Sequence, residues 1–282
     1  MSHVKKYLYR MLKYSPCKIP SIWILDLLYS LLIILTPKYI GLAIDGLASG
    51  EYEGFVFLLI IMFSEGILGF LYRRLDTRVY EKITIHFKEE YFLKATSQNI
   101  NTAEIDANIE LVEHFSEFLR MFIINLSGVL GILFPLHYLY INTETKVLMI
   151  ATLITVMIIC LQFYFSNSKQ KEVNHTKDEN EKRWNIIGQR NISTYRSYLN
   201  RIMGFNIRYS DKDALSYILS TTLQLSLLAF AVFHVVSSSK ITAGIIFATV
   251  TYIIELNEKS FELPEIYENY LNLKDDISRI DI

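Results

Sequence analysis

Residues 55–97 read FVFLLIIMFSEGILGFLYRRLDTRVYEKITIHFKEEYFLKATS. The part up to Leu75 is long and apolar enough to cross a bilayer, because about 20 residues rising 1.5 Å each cover the roughly 30 Å of hydrocarbon. The rest is charged: Glu81-Lys82 and Lys88-Glu89-Glu90 are interleaved with Ile83, Ile85, Phe87, Phe92 and Leu93. After Gly69 no Gly or Pro occurs until Gly128, so nothing in the composition breaks the helix where the lipid ends. The stretch predicts one helix of about 64 Å that leaves the membrane and continues into water. A helix with a charged side and an apolar stripe packs on neighbours, so a helical stalk continuous with a membrane bundle is expected.

The same pattern recurs further along. Residues 146–187 are apolar to Phe165, then carry Lys177-Asp178-Glu179 and Glu181-Lys182-Arg183, with no Gly or Pro before Gly188. That predicts a second continuous helix approaching about 60 Å. Four further apolar stretches, near 20–42, 121–141, 214–236 and 241–261, bring the expected number of spans to six. The fifth is polar in its first half, where Ser216, Ser220, Thr221, Thr222 and Gln224 fall. The chain is 51% hydrophobic, with 11 Gly and 5 Pro in 282 residues, a balance that favours long helices over strands and turns. The expected fold class is an all-α membrane protein with six transmembrane helices and long cytoplasmic helical extensions.

Charge sets the expected orientation. Lys5, Lys6, Arg10, Lys13 and Lys18 precede the first span, and Arg78, Lys82, Lys88 and Lys94 follow the second. Ten Lys and Arg lie from Lys169 to Lys212, whereas the opposite loops hold mainly Asp45, Glu51, Glu53 and Glu144, with Lys240 the exception. The positive-inside rule then places both termini in the cytoplasm, in a cell (inner) membrane. Residues 1–18 read as a basic amphipathic interfacial helix, with Val4, Tyr7, Leu8, Met11 and Leu12 on one side. No cleavage site for a signal peptide follows it. Residues 19–262 form the membrane domain, with stalks at 76–115 and 166–213, and 263–282 a C-terminal cytoplasmic helix. The net charge of −1 gives a nucleic-acid partner no support. Cys17 and Cys160 lie too far apart in character and sequence to suggest a disulfide framework.

Ionisable side chains inside spans are costly and are functional candidates by default. Three qualify for a solute pathway: Asp26 early in the first span, Glu65 midway along the second, and Glu255 in the sixth. Each has a bland reading beside the functional one. Asp26 is also placed to sit at the interface, Glu65 to meet a hydroxyl or histidine partner, and Glu255 to pair with Lys259 four residues on. His137 and His234 lack a second ligand at metal spacing. No nucleophile–base arrangement stands out. The two stalk tips hold the candidate docking residues: Asn101, Thr102, Glu104, Ile105 and Asp106 at one, and Ser193, Thr194, Tyr195 and Arg196 at the other.

Two further stretches carry a family resemblance. Leu35-Thr36-Pro37-Lys38-Tyr39-Ile40-Gly41-Leu42-Ala43-Ile44-Asp45 resembles the end of the first span in ATP-binding cassette exporters, and Ser239-Lys240-Ile241-Thr242-Ala243-Gly244-Ile245-Ile246-Phe247-Ala248 the start of their sixth. Leu271–Ile280 is similar to the helix leading into that family's nucleotide-binding domain. The resemblance covers essentially the whole chain and rests on order, spacing and topology. It implies a transport subunit that works as a homodimer, or as a heterodimer with a related six-helix chain. It also implies a separate nucleotide-binding subunit docked at the tips. No G-x-x-x-x-G-K-[ST] phosphate loop occurs in the sequence. The chain is therefore expected not to be an enzyme and to hold no cofactor, with any ATP bound by the partner. A membrane-anchored regulatory protein of the same shape, without transport activity, is the alternative.

Overall fold

A computed structural model describes residues 9–97, 102–237 and 242–278. Seven helices account for almost all of them: α1 Lys18–Ser49, α2 Glu53–Ser97, α3 Thr102–Asn142, α4 Thr145–Glu181, α5 Arg183–Gly188, α6 Ile192–Val236 and α7 Ala243–Ser278. Among the described residues there is no strand. Residues 9–14 form a further short helical stretch ahead of α1.

Among the described residues, five segments are long and apolar enough to cross a membrane: Lys18–Ser49, Glu53–Ser97, Ser116–Asn142, Thr145–Gly188 and Ile192–Val236. α7 is not one of them. Its apolar start gives way to Glu255, Asn257, Glu258 and Lys259, and Ile241, where the sixth span was expected to begin, lies outside the described residues. Ala248, Thr249, Tyr252, Ile253 and Leu256 of α7 are nevertheless fully buried. The helix packs along α1, α3, α4 and α6.

The long helix read from residues 55–97 is present as a single 45-residue α2, about 68 Å by its rise. Beyond Leu75 its inner face builds a core with the N-terminal stretch, α1 and α3. Tyr80, Ile83 and Phe87 pack with Met11, Ile19, Ile22, Val112 and Leu119. Residues 9–14 thus dock on α2 through Met11, which is fully buried, while Tyr14 stacks on His86 and Arg10 pairs with Glu90. Charges fasten the outer rim, Lys88 of α2 pairing with Glu113 of α3.

The second long helix is shorter than expected. α4 ends at Glu181, and the chain turns at Lys182 into the six-residue α5 instead of continuing to Ile187. The pairing between α4 and α6 explains where the break falls. Gln162 hydrogen-bonds Ser216 and Ser220 at 3.0 and 2.9 Å. Lys169 meets Asp213 at 2.9 Å, and Glu172 meets Lys212 and Arg208 at 2.8 and 3.0 Å. His175 stacks on Phe205, Glu179 pairs with Arg201 at 3.0 Å, and Tyr198 donates to Asn180 at 2.7 Å. Each advance along α4 is matched by a nearly equal retreat along α6, as an antiparallel pair requires. Past Asn180 the ladder stops, and α4 stops one residue later. The polar first half of the fifth apolar run has its explanation here too: Ser216 and Ser220 are buried against Gln162 and satisfied by it.

At the far end of the bundle the two stretches quoted for their family resemblance touch. The Asp45 carboxylate accepts from the Gly244 backbone N–H at 2.8 Å, at the first turn of α7. Gly41 and Gly244 let the two backbones meet. A Cβ on Gly41 would lie 2.5 Å from the Gly244 carbonyl oxygen, and one on Gly244 would strike the Gly41 carbonyl and the Asp45 carboxylate. Close by, Pro37 interrupts the hydrogen bonding of α1, and the buried Tyr252 hydroxyl donates to the Ile34 carbonyl at 3.0 Å.

Candidate functional site

A buried polar cluster lies where α1, α2 and α3 converge. α1 contributes Trp23 and Asp26, α2 contributes Tyr72, Asp76 and Tyr80, and α3 contributes Arg120. Asp76 is 1% exposed and Asp26 4%, so both carboxylates are taken out of solvent. Arg120 binds Asp76 through Nε at 2.6 Å. Tyr72 interacts with the Asp26 carboxyl. Trp23 donates its indole N–H to the Tyr80 hydroxyl at 3.0 Å, and that hydroxyl points on to the Leu119 carbonyl at 3.5 Å. One oxygen of each acid, Asp26 Oδ2 and Asp76 Oδ1, is buried without a hydrogen-bond partner among the described residues. The cluster therefore holds two acids, one guanidinium and two unused acceptors. Buried acceptors without donors are costly, so this arrangement is suited to taking up a proton or the cationic part of a ligand.

Asp26, expected either at the interface or on a pathway, is thus part of a buried network. Glu65 sits elsewhere. It lines a half-open cleft of about 540 Å³ with Tyr29, Gly66, Gly69, Phe70, Arg73 and Arg74, and it has no ion-pair partner among the described residues. The Tyr29 ring lies over Gly69, where a Cβ would come within 2.8 Å of it, and stacks on Tyr72 at 6.2 Å. An aromatic pair therefore joins the Glu65 cleft to the buried carboxylates. Glu255 joins neither group. It is half-buried on α7, and the expected pair with Lys259 is absent: Lys259 turns to Glu262, at 2.7 and 2.9 Å. An i,i+3 partner beyond the apolar stretch has displaced the i,i+4 one within it.

At the first tip, Asn101 lies outside the described residues, and Thr102, Glu104, Ile105 and Asp106 occupy the opening turns of α3. At the second, Ser193, Thr194, Tyr195 and Arg196 form the first turn of α6. Asn191 caps that turn, its Oδ1 accepting from the Ser193 and Thr194 N–H groups at 2.9 and 3.5 Å. Tyr195 leans on Tyr198. The outermost structure there is α5 and the turn after it, in which Arg190 takes a left-handed φ of 49°. No group of three or more His, Cys, Asp and Glu with metal-binding geometry occurs among the described residues.

Sequence reasoning missed Asp76 and Arg120, the strongest pair of the cluster. Both fall at span ends, where a charge reads as an ordinary boundary residue. The available signal was that opposite charges stand at the same depth on two helices joined by a tip.

Residues 8–244 match the family described as ABC transporter transmembrane region. That is most of the chain, and the chain belongs to this family. No match was found among curated proteins. Family and fold together define an integral, multi-pass membrane protein, the membrane subunit of an ABC transporter.

Proposed function

We propose that this chain forms half of a solute pathway, pairs with a second copy or a related chain, and is driven by a nucleotide-binding subunit carried on another polypeptide. Six spans with both termini in the cytoplasm complete the reading. α7 acts as the protein-packed sixth span, and the stalks of α2–α3 and α4–α6 stand on the cytoplasmic side.

The observation that carries the pairing is apolar surface left bare where lipid cannot cover it. On the extension of α6, Ile192, Leu199, Met203 and Ile207 follow helical spacing and are exposed, Ile192 at 72% and Met203 at 55%. On the extension of α2, Ile85, Phe92 and Leu93 are exposed as well, Leu93 at 70%. A charged, water-facing helix does not keep such stripes without a partner. Mutual burial of the two stripes between two chains would cover both. The long stalks then act as levers, with α5 and the start of α3 as the surfaces on which an ATPase would push.

The test is oligomeric state in nanodiscs, followed by recovery of partners from native membranes. A dimer is expected, shifting toward monomer in a Leu93→Glu/Met203→Glu variant, together with a co-purified ATPase stimulated by a solute. A clean monomer in nanodiscs with no ATPase recovered would overturn the proposal.

A further inference from the structure

The second open cleft described in the molecule lies away from the carboxylate cluster, where residues 9–14 turn into α1 beside α2. It measures about 660 Å³, within the range of small-ligand sites. Its lining includes Lys18, Arg78 and Lys82, together with Ser15 and the apolar Leu75 and Val79. Among the described residues no acid lines it. Among the described residues none of the three cations forms an ion pair or a side-chain hydrogen bond, in contrast to the stalk cations Lys88, Lys169, Arg201, Arg208 and Lys212.

Depth decides the ligand class. Lys18 stands two residues before the first apolar run, and Leu75 ends the second. Arg78 and Lys82 follow one and two helical turns later on the same face of α2. The cations are therefore at headgroup level, while Leu75, 43% exposed, points the cleft's apolar edge toward acyl chains. A soluble anion would use the charges and leave that edge wet. We infer that this cleft is a binding site for the phosphate headgroup of an anionic phospholipid, whose chain runs down the groove beside Leu75 and Val79. The lipid ties the N-terminal stretch and α1 to α2, at the base of the stalk. The inference rests on the chain being a membrane protein and not on its pairing or its ATPase.

The experiment is native mass spectrometry of the full chain, titrated separately with phosphatidylglycerol and phosphatidylcholine, and with inorganic phosphate as competitor. The expected preference for phosphatidylglycerol is about tenfold, and a Lys18→Gln/Arg78→Gln/Lys82→Gln variant brings it to within about twofold. A Lys171→Gln/Lys177→Gln/Arg183→Gln control, with as many charges removed from the other stalk, keeps it. Should the triple variant fail to fold, Arg78→Gln and Lys82→Gln singly are each expected to lower the preference by up to about fivefold. Retention of the full preference in every cleft variant would overturn the site. Displacement of the lipid by inorganic phosphate at equal concentration would overturn its assignment to a lipid.

Discussion

At the scale of single residues, two contacts hold distant parts of the sequence together, and each gives a prediction. Gly41 and Gly244 sit where α1 and α7 cross, and Asp45 closes the crossing by accepting from the Gly244 N–H. Gly244→Ala places a methyl against the Asp45 carboxylate and against the Gly41 carbonyl, which is backbone and cannot swing aside. A loss of about 1–3 kcal/mol is expected from overpacking of this kind, read as a lowered Tm in detergent. Ala at Gly66, inside α2 and with nothing within 4 Å of its Cβ, is the matched control and should hold Tm or raise it slightly, since Ala suits a helix interior better than Gly. The second contact is Arg120 with Asp76. Arg120→Ala strands a carboxylate that is 1% exposed, and a cost of about 2–3 kcal/mol is expected, discounted because the guanidinium itself is partly in solvent. Adding Asp76→Asn to that variant should recover part of the loss, since the stranded charge is gone. Of these residues, Gly41, Asp45 and Gly244 were legible as members of two recurrent patterns, but not as a contact. Spacing along a chain says which residues repeat, and not which helices cross. Asp76 and Arg120 were not legible, because a charge at the end of a span reads as a boundary wherever its side chain goes.

At the scale of elements, the sequence showed lengths better than endings. With no Gly or Pro from residue 70 to Ser97, nothing in the composition stopped α2 at the end of its apolar stretch, and its continuation past Leu75 could be foreseen. Nothing between Lys146 and Ile187 breaks a helix by itself, yet α4 ends at Glu181 because the last rungs to α6, at Glu179 and Asn180, lie there. A pH prediction belongs to this ladder. Lys212 first and then Arg208 donate hydrogen bonds to Glu172 and hold its carboxyl below the usual range; Lys182 and Arg201 do the same for Glu179. An acid whose pKa is lowered by folding stabilises the folded form fully above its unfolded pKa. That stabilisation is lost as pH falls through the lower, folded value. The extensions of α4 and α6 should therefore loosen on acidification below the ordinary carboxylate range, read as faster amide exchange over 169–181 and 198–212. Glu172→Gln should already be loosened at neutral pH and show a flatter acid response. The rungs are exposed enough for salt to weaken them, so raising ionic strength at neutral pH should loosen the wild-type ladder in the same segments.

At the scale of the whole molecule, the family and the helical membrane fold were readable because they depend on hydropathy and helix length, which are summed over many residues. The count of spans was less secure for a physical reason. α7 sets Glu255, Glu258 and Lys259 beside the buried Ala248, Tyr252, Ile253 and Leu256, so its hydropathy does not read as a lipid-facing span. Partner surfaces are harder still to read, since an exposed stripe such as Leu199, Met203 and Ile207 looks in sequence like any other amphipathic helix. The tip offers the cleanest test of the proposed coupling. α5 is six residues long and carries Ile186 inward, 8% exposed, and Ile187 outward, 42% exposed. If an ATPase seats on this turn, Ile187 is an exposed apolar group on α5 that could anchor it, and a charge there should be rejected. Ile187→Asp is expected to lower recovery of the nucleotide-binding subunit by about 30-fold or more, the size of effect a central apolar anchor gives. Tm and the dimer population should stay close to wild-type values, because the side chain is exposed and outside the buried clusters. Ile186→Asp should behave in the opposite way, lowering Tm first. Equal recovery of the subunit by wild type and Ile187→Asp would show that the lever is not engaged at α5, leaving the opening turns of α3 as the surface to test next.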